Sequence, residues 1–254
     1  MKSIAEIFCL MFSFGIVSAL IPIRRLDLLT SFFRTNSLVS FALFLLFAWL
    51  HPQQSYASYW PGALLLVYSV SVFWLPPLIG KCVLLTIFFG MLRLLNFSFN
   101  SSNIITYEYF LEFTSIVIGG ALVGFSLVAM NVGHSYLSTV KLPMRPLRVT
   151  TLWIGAFIVL RLLGYIFGVF QVGTGELGQY FSQLGVGNFP ILAIAMARTL
   201  FGLVGPAILV VMVWKTVEIE STQSATGILY ALLSMTIIGE GCSLFLNLQT
   251  MVWF

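Results

Sequence analysis

The chain has 254 residues, of which 59% are hydrophobic and 8% charged, against about a quarter charged in an ordinary soluble domain. That composition excludes a water-soluble globule. The net charge of +4 sits in short loops between apolar runs, where membrane topology explains it, so a nucleic-acid partner is rejected.

Apolar runs of roughly 20 residues cross the ~30 Å hydrocarbon core of a bilayer. Read between polar breaks, the sequence predicts an all-α integral membrane bundle of about eight transmembrane helices, in one domain spanning 1–254. The first, 4–22, begins like a signal peptide, with Lys2, an apolar stretch and Val17-Ser18-Ala19 as a small-x-small site. Glu6 interrupts the basic start and Arg24-Arg25 follow as a stop signal, so it is read as a retained helix. The second is expected over 36–51. The third and fourth, 62–79 and 82–98, are separated by Gly80-Lys81, and Pro76-Pro77 interrupts the run. A tight helical hairpin is favoured there over a broken, re-entrant element. The remaining helices fall at 109–138, 149–171, 189–214 and 223–248. Gly119, Gly120 and Gly124 on the fifth, and Gly164 and Gly168 on the sixth, are small residues of the kind that let membrane helices pack closely.

Basic residues set the expected orientation. Loops after odd-numbered helices carry Arg24, Arg25, Arg34, Lys81, Lys141, Arg145, Arg148 and Lys215, whereas those after helices two, four and six carry no Lys or Arg. The positive-inside rule then places both termini on the non-cytoplasmic side, most naturally of a bacterial inner membrane. Trp60, Tyr56, Tyr59, Tyr107 and Tyr109 lie toward the opposite face, as an interfacial aromatic belt would. A weak 4+4 parallel pseudo-repeat, with halves 1–107 and 108–254, is legible where 21–30 is laid on 142–151 and Pro77 falls on Pro206. Chance likeness between two apolar, basic-looped segments is the plainer explanation.

An ionisable side chain inside the bilayer is costly unless paired or hydrated, so each one needs a reason. At about 1.5 Å per residue, Arg161 comes out ~18 Å from the cytoplasmic side, Arg198 ~17 Å and Glu240 ~25 Å. Glu112 and Arg93 lie near the outer ends of helices five and four, so all five fall in the outer half. Glu240, between Gly239 and Gly241, is the natural partner for either arginine, whose fork holds a carboxylate in a bidentate pair. Three arginines against two glutamates leave one positive charge for an acidic solute or a quinone oxygen to meet. A purely structural ion-pair network that fixes helix register is the competing reading.

The remaining chemistry is sparse. Cys9, Cys82 and Cys242 show no metal-ligand spacing and read as apolar filler, so no metal is expected. His51 and His134 sit at opposite ends of their helices, which argues against a shared haem, and no cofactor is expected. His134, in Asn131-Val132-Gly133-His134-Ser135-Tyr136, is a candidate proton relay beside the plainer reading of an interfacial histidine. The connection from Lys141 to Arg148 is a candidate contact for anionic lipid headgroups.

No nucleotide loop, His-Glu-x-x-His or Gly-x-Ser-x-Gly motif is present, which leans away from an enzyme. The leading expectation is a transport-type bundle whose partners are the bilayer and an anionic solute or protons, bound near Arg161, Arg198 and Glu240. The alternative is a membrane-embedded anchor or quinone-handling subunit of a larger respiratory or envelope complex, assembled with unlike membrane subunits.

Overall fold

The computed structural model describes residues 4–50, 59–99, 107–139, 142–171 and 189–250. In chain order its helices are α1 (Ile4–Leu20), α2 (Thr30–Leu50), α3 (Trp60–Ser71), α4 (Pro77–Phe99), α5 (Tyr107–Ser138), α6 (Arg145–Gln171) and α7 (Phe189–Thr199). A π-helical turn at Leu200–Val204 leads into α8 (Gly205–Glu218), and α9 (Thr222–Thr250) closes the chain. Helical dihedrals run unbroken through Thr199, Val204 and Gly205, so α7, the π turn and α8 form one continuous rod. Among the described residues there is no strand.

Six segments are long and apolar enough to cross a membrane: those in α2, α4, α5, α6, the α7–α8 rod and α9. Large apolar side chains such as Trp49, Trp74, Leu78 and Phe89 are exposed on the outside of the bundle. Lipid, not water, is the solvent such a surface fits. The chain is a multi-pass integral membrane protein. α1 and α3, with 17 and 12 residues, rise only ~26 Å and ~18 Å, short of the ~30 Å core.

α1 is the central post. It packs against α5, α2 and α4, and Leu10, Met11, Phe14, Ile16 and Val17 are buried all round it, the pattern of a helix surrounded by others. Gly15 meets Gly120 and Gly124 of α5 so closely that a methyl on any of the three would overlap the partner backbone. This is the small-residue contact expected at that stretch of α5. Gly164 departs from the same expectation, since open space lies where its side chain would be. On the other flank of α1, Ser13 Oγ donates to the Ser40 carbonyl at 2.8 Å and Ser40 Oγ donates back to the Ser13 carbonyl at 3.0 Å. In a bilayer such a reciprocal clasp satisfies two hydroxyls that would otherwise face hydrocarbon.

The α3–α4 junction corrects the sequence reading. The break comes at Val72–Pro76 rather than at Gly80-Lys81, which lies inside α4. Pro76 and Pro77 each disfavour helix in the preceding residue, and Pro77 opens α4 where its missing N–H costs nothing. Arg25 locks the turn from the α1–α2 loop: Nη1 donates to the Leu75 carbonyl at 2.8 Å and Nη2 to the Tyr68 hydroxyl at 3.3 Å. The same guanidinium stands 5.9 Å and 5.5 Å from the ring centres of Phe33 and Tyr68. Gly80 gives it room, because a Cβ there would come within 2.8 Å of the guanidinium carbon. The glycine that looked like a turn residue is thus a seat for an arginine. At its other end α3 starts against the middle of α4, with the Trp60 ring on Gly90, ~20 Å along from Pro77. His51 and Tyr56 lie outside the described residues.

Candidate functional site: a buried Arg–Glu–Arg cluster

Four elements converge on one carboxylate. α9 supplies Glu240, α6 supplies Arg161, the α7–α8 rod supplies Arg198, and α5 supplies Ser115. Arg161 takes Glu240 in a fork: Nη2 donates to Oε2, and Nε donates to Oε1 at 3.2 Å. Its third nitrogen, Nη1, donates to Ser115 Oγ at 2.5 Å. Arg198 Nη1 reaches Glu240 Oε1 at 3.2 Å. The exposures of Arg161, Arg198 and Glu240 are 6%, 1% and 1%, so water does not screen them. Charge-assisted bonds of this kind are stronger than neutral ones, and each depends on the others because none of the three charges can be left alone at this depth.

Glycines open the space. A methyl at Gly119 of α5 would overlap Glu240 Oε2 and crowd Arg161 Nη2, and one at Gly202 would overlap Arg198 Nη1. Gly239 lies against the Gly202 backbone, which brings α9 and the rod together beside Glu240. Arg198 is followed two residues later by the π turn at Leu200–Val204. Such turns interrupt the regular ladder and recur at functional sites.

The formal charges of Arg161, Arg198 and Glu240 sum to +1. Arg161 alone neutralises Glu240, and Arg198 is the second guanidinium on an already paired carboxylate. Among the described residues, Arg198 Nε is buried without a hydrogen-bond partner, which in a low-dielectric interior is a cost.

The two arginines, expected at one level from the sequence, both reach Glu240, which the same depth scale puts ~7 Å further out. α6 begins at Arg145 rather than at the expected 149. The structure does not bring all five charges together. Arg93 is exposed on α4, a helix that packs chiefly on α1 and α3. Glu112 is half-buried on α5, three residues outward of Ser115. His134 is exposed at the far end of α5, where it lines a separate cavity of about 280 Å³.

Sequence reasoning missed Ser115 and Gly202 and gave Gly119 a packing role only. A hydroxyl four residues before a glycine on one helix face is a weak signal, and nothing local announces that an arginine from α6 will arrive there. No known protein family, curated protein or solved structure matches this chain.

Proposed function

We propose that the Arg161–Glu240–Arg198 cluster is the solute site of a transport-type helical bundle that admits an anion. The bundle is placed in a bacterial cytoplasmic membrane with its basic loops inside. The observation that carries this reading is Arg198, a buried guanidinium on a carboxylate that Arg161 already neutralises, with Nε unpartnered among the described residues. A network that served only to fix helix register would need one arginine. The second adds a desolvation penalty of several kcal/mol, which an anion docking on it would offset. Protonation of Glu240 would instead raise the surplus, which favours an anion over a proton as the ligand. Glu112 lies outward of Ser115, on the approach from the non-cytoplasmic side, whereas Arg93 stands apart from the site.

Purified protein in mild detergent tests this with acetate, phosphate and nitrate as probes against a bulky sulfonate buffer salt at equal ionic strength. A bound anion at a hundredfold its dissociation constant stabilises by about 2.7 kcal/mol. Wild type should therefore melt higher with at least one small anion, and Arg198→Met should fold but lose that shift. Identical responses of wild type and Arg198→Met to every anion would remove the solute site. Stoichiometric co-purification of unlike membrane subunits would favour the anchor or quinone-handling alternative.

A further inference from the structure

The described chain has a second polar feature, at the opposite end of α5. The α1–α2 loop, the first turns of α2, the last turns of α5 and Leu142 border a half-open cavity of about 280 Å³. It lies at the face of the α1–α2 loop and the α5–α6 connection, level with helix ends rather than with the bundle's apolar middle.

Its lining is apolar over most of its area, and the polar part is uncharged. Asn36, Asn131, His134, Thr35, Ser135 and Ser138 contribute amides, an imidazole and hydroxyls, and the lining includes no carboxylate, ammonium or guanidinium. Many of the donors are already spent. Thr35 donates to the Ser31 carbonyl at 2.9 Å, Ser135 to Val132 at 2.7 Å and Ser138 to Ser135 at 3.2 Å. Asn36 donates to the Phe32 carbonyl at 2.9 Å and accepts from Asn131 Nδ2 at 2.8 Å. The polar part of the lining therefore offers hydroxyl and amide lone pairs, with a few donors left on Ser31, Thr139 and the imidazole. An ion there would meet uncharged dipoles and no counter-charge among the lining residues. A group carrying several hydroxyls exchanges like for like, since each hydroxyl both donates and accepts.

Position supplies the rest. Leu28, Phe32 and Leu142 give the cavity an apolar floor, and Leu29, 54% exposed, carries that apolar surface to the outside. Arg145, three residues past Leu142, is exposed and has no carboxylate partner among the described residues. The volume is ample for a glycerol-sized group.

We propose that this cavity binds the polyol headgroup of an anionic membrane phospholipid of the phosphatidylglycerol kind. Its hydroxyls enter among Asn131, Thr35 and Ser138, its phosphate stays at the rim beside Arg145, and its acyl chains run outward past Leu29. The site is independent of the Arg–Glu–Arg cluster and of any role given to it.

Native mass spectrometry of delipidated protein titrated with phosphatidylglycerol, phosphatidylethanolamine and phosphatidic acid tests it. Wild type should retain phosphatidylglycerol roughly tenfold better than the other two, the equivalent of a hydrogen bond or two. Asn131→Leu and Ser138→Leu, which fill the cavity and remove its polar groups, should each bring retention down to the phosphatidylethanolamine level. Ser138 is exposed, so its variant keeps the test decisive where loss of the Asn36–Asn131 bond unfolds the other. Equal retention of phosphatidylglycerol and phosphatidic acid would leave only a basic rim and overturn the polyol site, as would undiminished retention by folded Ser138→Leu. Millimolar free glycerol displacing the lipid from wild type would overturn the lipid assignment in favour of a soluble polyol.

Discussion

Replacing Glu240 by Gln tests the central cluster most severely, because one carboxylate holds two arginines. The amide keeps the volume and one acceptor oxygen but presents N–H groups to guanidinium donors, and two cations at 6% and 1% exposure are left side by side. Breaking one buried pair by removing a single partner costs about 3–5 kcal/mol, and with two dependants the loss should fall at the upper end. Arg198→Met is the contrasting change: it leaves the forked Arg161–Glu240 pair at net zero, so stability should stay within about 1 kcal/mol of wild type or rise. Arg161→Met leaves Glu240 with a single bond from Arg198 and should lie between. Thermal unfolding in one detergent, carried through both double-mutant cycles, gives the couplings. Glu240 with Arg161 should couple more strongly than Glu240 with Arg198, since the first pair makes two bonds and the second one. Single-mutant losses that add within about 0.5 kcal/mol in both cycles, or a Glu240→Gln protein as stable as wild type, would refute the arrangement.

Gly119→Ala pushes a methyl into the Arg161–Glu240 pair and should cost about 1–3 kcal/mol by overpacking. Gly164→Ala, facing open space, should be neutral or gain about 0.5–1 kcal/mol from helix propensity, and the same thermal assay compares them. A cysteine placed at Arg145 in a background lacking the native cysteines should resist an impermeant maleimide in intact cells and react after permeabilisation. Labelling of intact cells would invert the proposed topology.

The helical, membrane-embedded character was written in the apolar runs, because a bilayer imposes one length and one backbone solution on any span. Arg161, Arg198 and Glu240 were legible for the same reason: burying a charge in hydrocarbon is costly enough that opposite charges in the same half of the membrane imply partners. What the sequence does not carry is lateral order. Depth follows from counting residues, but whether Arg93 faces the cluster depends on which helices are neighbours, and α4 turns out to border α1 and α3 instead. The α3–α4 turn was misplaced because Gly80 has two physical uses, as a helix breaker and as room for a guanidinium. The second is visible only once Arg25 is known to lie over it. Gly164 shows the converse, since a small residue in an apolar helix looks like a contact whether or not a neighbour is there.

α5 carries both polar features, which raises the question of whether they act on each other. Gly119 and Asn131 are twelve residues apart on one helix, ~18 Å along its axis. Ala121 through Ser126 between them are buried, and Gly124 lies against the backbone of α1 at Gly15. No shared side chain and no described polar chain joins the two ends, so any coupling would have to travel through movement of α5 itself. The close glycine contact with α1, which leaves no room for a Cβ on either side, constrains such movement. Sites more than about 7–10 Å apart without shared partners lose stability additively to within about 0.3–0.5 kcal/mol. Asn131→Leu strips the Asn36 carbonyl of its donor and should cost about 1–3 kcal/mol, and combined with Glu240→Gln the two losses should sum. A double variant that departs from the sum by more than about 0.5 kcal/mol would mean that α5 shifts as a unit between the inner cavity and the charged cluster. The glycine contact with α1 would then be a sliding surface rather than an anchor.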